Sequence, residues 1–154
     1  MPLKAGDVPL APGEGILTKC EDDGYGLQSA GQVLTDKDMP TVLRLRSKMV
    51  ANVTPVDVDL TDCYVTGYDP FEDGDGGAYG EVVVQILDDR GKNTADYYWY
   101  DYSEDGETYF GWYVDGDTEQ PLEKGVEILG PGQGVLTKCE DDGYSFVWPK
   151  VDVK

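Results

Sequence analysis

The stretch PGEGILTKCEDDGY, Pro12 to Tyr25, returns almost unchanged as PGQGVLTKCEDDGY, Pro131 to Tyr144. Twelve of the fourteen positions are identical, and the two changes, Glu14 against Gln133 and Ile16 against Val135, are mild. A likeness this strong is an internal duplication, and it constrains the fold before any single residue does. Each copy reads the same way. Pro-Gly with a second Gly makes a tight turn, and a short run (Ile16 to Cys20, Val135 to Cys139) has strand character. Glu-Asp-Asp-Gly is an acidic turn, and a tyrosine opens a returning strand. That pattern predicts a β-hairpin at each end of the chain. The organisation is A–B–A within one domain, 1–154: hairpin module A at 8–33, central strands at 41–125, and the second copy of module A at 126–154.

Outward from the repeat, the central block carries further strand signals. Leu43 to Arg46 alternates, and Val56-Asp57-Val58-Asp59-Leu60 alternates almost perfectly between apolar and charged. Cys63 to Tyr68 is another candidate, and Glu81 to Leu87 (EVVVQIL) is apolar on both faces, as a central strand should be. Thr94 to Tyr102 and Thr108 to Val114 predict a long aromatic hairpin with Asp105-Gly106 in its turn. The tail Val151 to Lys154 alternates and reads as an edge strand. Ser47 to Asn52 is the one weak helical candidate. Short strands separated by turns predict an all-β, antiparallel sandwich or barrel with a duplicated terminal β-hairpin.

With 31 acidic and 12 basic side chains the formal charge is −19, which disfavours nucleic acid and anionic membranes as partners and favours cations or basic proteins. Histidine is absent, so a Ser–His or Cys–His nucleophilic site is excluded. No apolar run is long enough for a spanning helix, so membrane insertion is not expected. The N-terminus MPLKAGDVPL lacks a signal peptide's apolar core: either export does not use that route, or a signal has been removed.

Three sets of residues can carry function. Asp69, Asp73, Asp75 and Glu81, in a Gly/Asp-rich loop, are a candidate Ca²⁺ site, although they lack the ligand order of an EF-hand and Asp and Gly are also ordinary turn residues. No other cofactor is expected. The aromatic run offers a binding strip, Tyr98, Trp99, Tyr100, Trp112 and Tyr113. Tyr98, Tyr100 and Tyr102 share one face, Tyr97 and Trp99 the other, and Phe110 and Trp112 face away from Tyr109 and Tyr113. One face must build the core, and cross-strand packing explains such pairs without any ligand. The repeat offers assembly residues, Ile16, Leu17 and Cys20 with Val135, Leu136 and Cys139. Cys63 joins them: three cysteines allow one disulfide from Cys63 to a repeat cysteine, with the third free to cross-link, or three small buried residues.

The repeat, with Gly111-Trp112-Tyr113 and a Pro-Gly-x-Gly turn opening a strand near the C-terminus, resembles uncharacterised β-rich repeats of bacterial surface and phage-associated proteins. That resemblance implies a structural or adhesive role on an extracellular surface or virion, and it transfers no functional residue. The expectation is a non-enzymatic structural or assembly protein. It would act through strand edges and the repeated hairpins, with itself or another surface or virion protein as partner. The alternatives are a carbohydrate- or protein-binding β-module using an exposed aromatic strip, and a polyanion mimic.

Overall fold

The longest alternating runs build the longest strands. The computed structural model describes residues 21, 39–43, 46–67, 78–140 and 143–151. Among them are ten strands: β1 (Met39–Val42), β2 (Arg46–Ala51), β3 (Val58–Asp59), β4 (Tyr64–Thr66), β5 (Ala78–Leu87), β6 (Asn93–Glu104), β7 (Glu107–Val114), β8 (Ile128–Leu129), β9 (Gly134–Cys139) and β10 (Ser145–Trp148). All pairings are antiparallel. They give a five-stranded sheet β2-β9-β5-β6-β7, a three-stranded sheet β1-β10-β4, and the short pair β3-β8. β5 stands in the middle of the large sheet, as its two-sided apolar sequence predicts. No pairing among the described residues joins β7 back to β2, so the large sheet is open rather than a closed barrel.

One core binds the three sheets. Val50, Val82, Val84, Trp99, Trp112 and Val135 of the large sheet are buried with Val65, Phe146 and Trp148 of the smaller one and with Val58 and Leu129 of the pair. Trp112 lies 6.0 Å from Phe146, ring centre to ring centre, and Phe146 meets Trp148 edge-on at 4.9 Å. Each such ring contributes roughly 1.5–3 kcal/mol by leaving water. Trp112 also donates its indole N–H to the Cys63 carbonyl at 2.9 Å, tying β7 to the entrance of β4.

The second copy of module A does not form the expected hairpin. β9 pairs with β2 on one side and β5 on the other, while β10 lies between β1 and β4 in a different sheet. The reason is burial. Phe146, Val147 and Trp148 are buried in succession, so β10 needs cover on both faces, which a terminal hairpin cannot give. The crossing between sheets runs through Gly143, at φ +104°, which lies so close to Gly67 that a Cβ on Gly67 would collide with the Gly143 carbonyl oxygen.

Two local expectations also change. Ser47 to Asn52 is no helix, because β9 offers residues 46–51 a complete ladder and Val50 is fully buried against it. The alternation from Val56 to Leu60 gives only the two residues of β3. Asp59 then caps a single 3₁₀ turn, Leu60–Asp62, by accepting from the Thr61 N–H at 3.0 Å. In the tail, Val151 lies outside any strand and residues 152–154 fall outside the described ones. The first A module, apart from exposed Glu21, also lies outside them.

A buried asparagine fastens the turn that begins the second copy. Asn52 donates its amide to the carbonyls of Val56 and Leu129, and its side-chain oxygen accepts from the Thr54 N–H and hydroxyl, all within 2.7–2.9 Å. Its backbone exchanges hydrogen bonds with Gln133 and Gly132.

Two substitutions test this packing. Trp112→Phe orphans the buried Cys63 carbonyl and costs about 1–3 kcal/mol more than Trp99→Phe, whose indole N–H has no partner to lose. Urea unfolding of the two variants measures the difference. Burial pushes the Asp59 carboxyl up. The Thr61 hydroxyl and N–H, the Gly125 N–H and nearby Lys124 outweigh this and hold it below the usual carboxylate range. Its stabilisation is therefore complete above the unfolded value of about 4 and is lost as pH falls through the lower folded value. Asp59→Asn should cost on the order of 1 kcal/mol at pH 7, and the gap to the wild type should close in acid.

Candidate functional site: an acidic tyrosine face

The β6–β7 hairpin is closed by a two-residue turn in which Asp105 and Gly106 both take positive φ, 51° and 83°. That is the type I′ geometry whose twist matches the flanking strands, and Asp-Gly is the sequence that adopts it. The register puts Trp99 opposite Trp112, Tyr98 opposite Tyr113 and Tyr102 opposite Tyr109. Alternation then separates two faces. Tyr97, Trp99 and Trp112 enter the core, and Tyr98, Tyr100, Tyr102, Tyr109 and Tyr113 stand on the other side.

This divides the binding strip read from the sequence. Trp99 and Trp112 are 1% and 2% exposed and unavailable to a ligand, because the core needs the larger rings. Tyr98 and Tyr100 are half-buried on the outer face, with Tyr113 buried beside Tyr100. Tyr102 and Tyr109, absent from the strip as first read, complete it. Their strand parity was the available signal.

The outer rings form a continuous series. Tyr102 and Tyr109 stack at 4.7 Å with planes 14° apart, Tyr100 meets Tyr113 edge-on at 5.3 Å, and Tyr109 lies 6.4 Å from Tyr113. Tyr100 sits opposite Gly111 and over Gly80, where a Cβ would come within 2.9 Å of its hydroxyl oxygen. Gly80 falls at a register shift between β5 and β6 and has φ +85°, so the bulge and the missing side chain together make room for the ring. The Tyr100 hydroxyl donates to the Gly116 carbonyl at 3.1 Å.

Carboxylates surround these phenols. Tyr109 donates to Glu107 at 2.7 Å, and that bond, with burial and the charges of Glu107 and Glu104, pushes its hydroxyl up to about 12. Burial raises Tyr100, helped by Glu81 and Asp117, and burial with Glu104 raises Tyr102. The face is thus a row of neutral phenols in a negative field. On the opposite side of the hairpin, Phe110 is 64% exposed and borders a cleft of about 400 Å³ with Trp99, Trp112, Tyr64 and Leu122.

The other candidates resolve differently. Of the Ca²⁺ quartet, Asp69, Asp73 and Asp75 lie outside the described residues. Glu81 is half-buried on β5, and its charge acts on Tyr100. Among the described residues no three acidic or cysteine side chains gather around one point. Of the assembly residues, Val135 and Cys139 point into the core from β9 and Leu136 is half-buried on its other face. Ile16, Leu17 and Cys20 lie outside the described residues. Cys63 and Cys139 are both buried and are not joined to each other in a disulfide, and the other repeat cysteine, Cys20, lies outside the described residues. Burial, reinforced by Asp62 and Asp59, pushes the Cys63 thiol far up.

Among known proteins the chain matches no family model, no curated protein and no solved structure. The thiols give a direct check on the core packing. Cys63 and Cys139 should stay unreactive to an aromatic disulfide reagent in the native protein and react once it is unfolded, at a rate set by unfolding.

Proposed function

We propose that the chain is a non-enzymatic protein-binding β-module whose outer β6–β7 face docks a cationic, extended segment of a partner. One observation carries this reading: five tyrosines share a face, and the charges of Glu81, Glu104, Glu107 and Asp117 act on the hydroxyls of three of them, Tyr100, Tyr102 and Tyr109. A guanidinium or ammonium group over a tyrosine ring is attracted by about 0.5–1 kcal/mol at an exposed site, and adjacent carboxylates add to it. Successive side chains of an extended segment can meet successive rings along the strands. The formal charge of −19 draws a basic partner in and speeds the encounter.

A carbohydrate platform, the other ligand class expected for an aromatic strip, has less support, because the two hairpin tryptophans belong to the core and the remaining rings are acid-rimmed, with Tyr100 edge-on to Tyr113. A structural setting on an extracellular surface or virion, implied by the resemblance in the repeat, belongs to the same proposal. So does the reading of the two larger sheets as the layers of a sandwich.

Titration calorimetry with an arginine-rich decapeptide and with a neutral oligosaccharide tests it. The peptide should bind at low salt, weaken steeply with added salt, and bind about tenfold more weakly to Tyr102→Ala/Tyr109→Ala and to Glu104→Gln/Glu107→Gln. Absence of peptide binding, indifference to both double variants, or salt-independent oligosaccharide binding that needs the tyrosines would each overturn it.

A further inference from the structure

The tyrosine face borders a sheet edge that the chain itself half covers. β7 is the last strand of the five-stranded sheet, and its ladder with β6 runs without a shift from Val114 to Glu107. Residues 120–122 return along its other side. The Leu122 N–H donates to the Trp112 carbonyl at 2.8 Å, and the Val114 N–H donates to the Gln120 carbonyl at 2.9 Å. Pro121, which has no N–H to give, stands opposite Tyr113. Leu122 therefore lies opposite Trp112, is buried, and lines the cleft beside it. The chain then turns away, the Val126 N–H donating to the Glu123 carbonyl, and leaves the outer edge of residues 107–111 behind.

The bonds to residues 120–122 show that Trp112 and Val114 turn these backbone groups away from β6. Alternation along an antiparallel strand directs the N–H and C=O of Phe110 and Thr108 the same way. Among the described residues no hydrogen bond reaches the outward N–H or C=O of either, and both residues are exposed. Proteins commonly blunt such an edge with lysine, proline or a bulge. Residues 107–111 contain no lysine or proline, and their pairing has no shift. The two faces beside this edge differ. Phe110 borders the cleft with Tyr64, Trp99 and Leu122 on one, while Tyr109 with its bond to Glu107 stands on the other.

We infer that the partner's segment binds as an added antiparallel strand on this edge of β7, in line with residues 120–122, and alternates apolar with cationic side chains. Its residues opposite Phe110 and Thr108 stand on the Phe110 face and put apolar side chains against that ring and the cleft. Those opposite Gly111 and Tyr109 stand on the tyrosine face and bring cations to Glu107 and the rings. The inference rests on the docking face proposed above and adds a backbone register to it. In that register the residues opposite Phe110 and Thr108 exchange hydrogen bonds with them, so the apolar residues direct their N–H groups at β7 and the cationic residues direct theirs away.

The test is titration calorimetry of the full chain at low salt with a decapeptide of alternating leucine and arginine. A peptide of the same composition, its leucines grouped ahead of its arginines, should bind about tenfold more weakly. N-methylation of the central leucines should cost the alternating peptide about tenfold or more, and N-methylation of the central arginines less than about twofold. Thr108→Pro removes one outward N–H where an edge strand tolerates proline, and it should weaken binding about tenfold in a chain shown folded by circular dichroism. Equal effects of the two methylation patterns, or a grouped peptide as tight as the alternating one, overturn the added strand even where the tyrosine variants still weaken binding. Binding that follows the methylation pattern but ignores the tyrosine and glutamate double variants supports the added strand and overturns the docking face. Self-association of the chain alone that Thr108→Pro abolishes gives the edge to a second copy and overturns the separate partner. The methylated peptides decide the matter without any change to the protein.

Discussion

The constraint on which the structure rests is the double pairing of β9. A strand in the middle of a sheet must satisfy backbone groups on both edges, because a buried N–H or C=O without a partner costs about as much as a lost hydrogen bond. β9 meets β2 through six residue pairs and β5 through five. Among the described residues β2 pairs with β9 alone, so its place in the sheet depends on β9. The side chains agree with the ladder: Val135, Thr137 and Cys139 are buried and Lys138 is exposed. Shifting the register by one residue would send Lys138 inward and the buried set outward, so the pairing is specified by sequence.

From that frame the hairpin gains its freedom. Trp99 and Trp112 anchor one face of β6–β7 in the core, and the Trp112 indole holds the Cys63 carbonyl. Among the described residues β5 pairs with β6 as far as Asp101, and beyond it the described hairpin continues as β6 and β7. A two-stranded ribbon is weak by itself, and the stacked Tyr102–Tyr109 pair stabilises this one at its tip. The same rings that hold the ribbon together are those left facing solvent. In the proposed function, structural and recognition roles fall on one set of tyrosines.

Much of this was legible in the sequence, where local pattern and final structure coincide. The Asp105-Gly106 turn, the parity of the aromatic residues and the central character of Glu81 to Leu87 each rest on neighbours in the chain, and each appears in the fold. What was not legible depends on distant partners. Nothing within Pro131 to Trp148 says that β9 and β10 part into different sheets. That follows from Gly67 meeting Gly143 and from β2 lying ready to pair. Arg46 to Ala51, overlapping the one weak helical candidate, is a strand for the same reason. Of the two faces of the aromatic run, which would be core could not be read from alternation alone. Ring size settles it, since the tryptophans fill the space between the sheets and the tyrosine hydroxyls stay near water.

Native-state hydrogen exchange, followed residue by residue, tests the central place of β9 most directly. The amides of β9 and of β5 from Val82 to Ile86 should exchange only with global unfolding, while those at the hairpin tip, Ser103 to Thr108, should exchange through local opening at far lower cost. Protection in β9 no greater than at the tip would contradict a strand held on both sides.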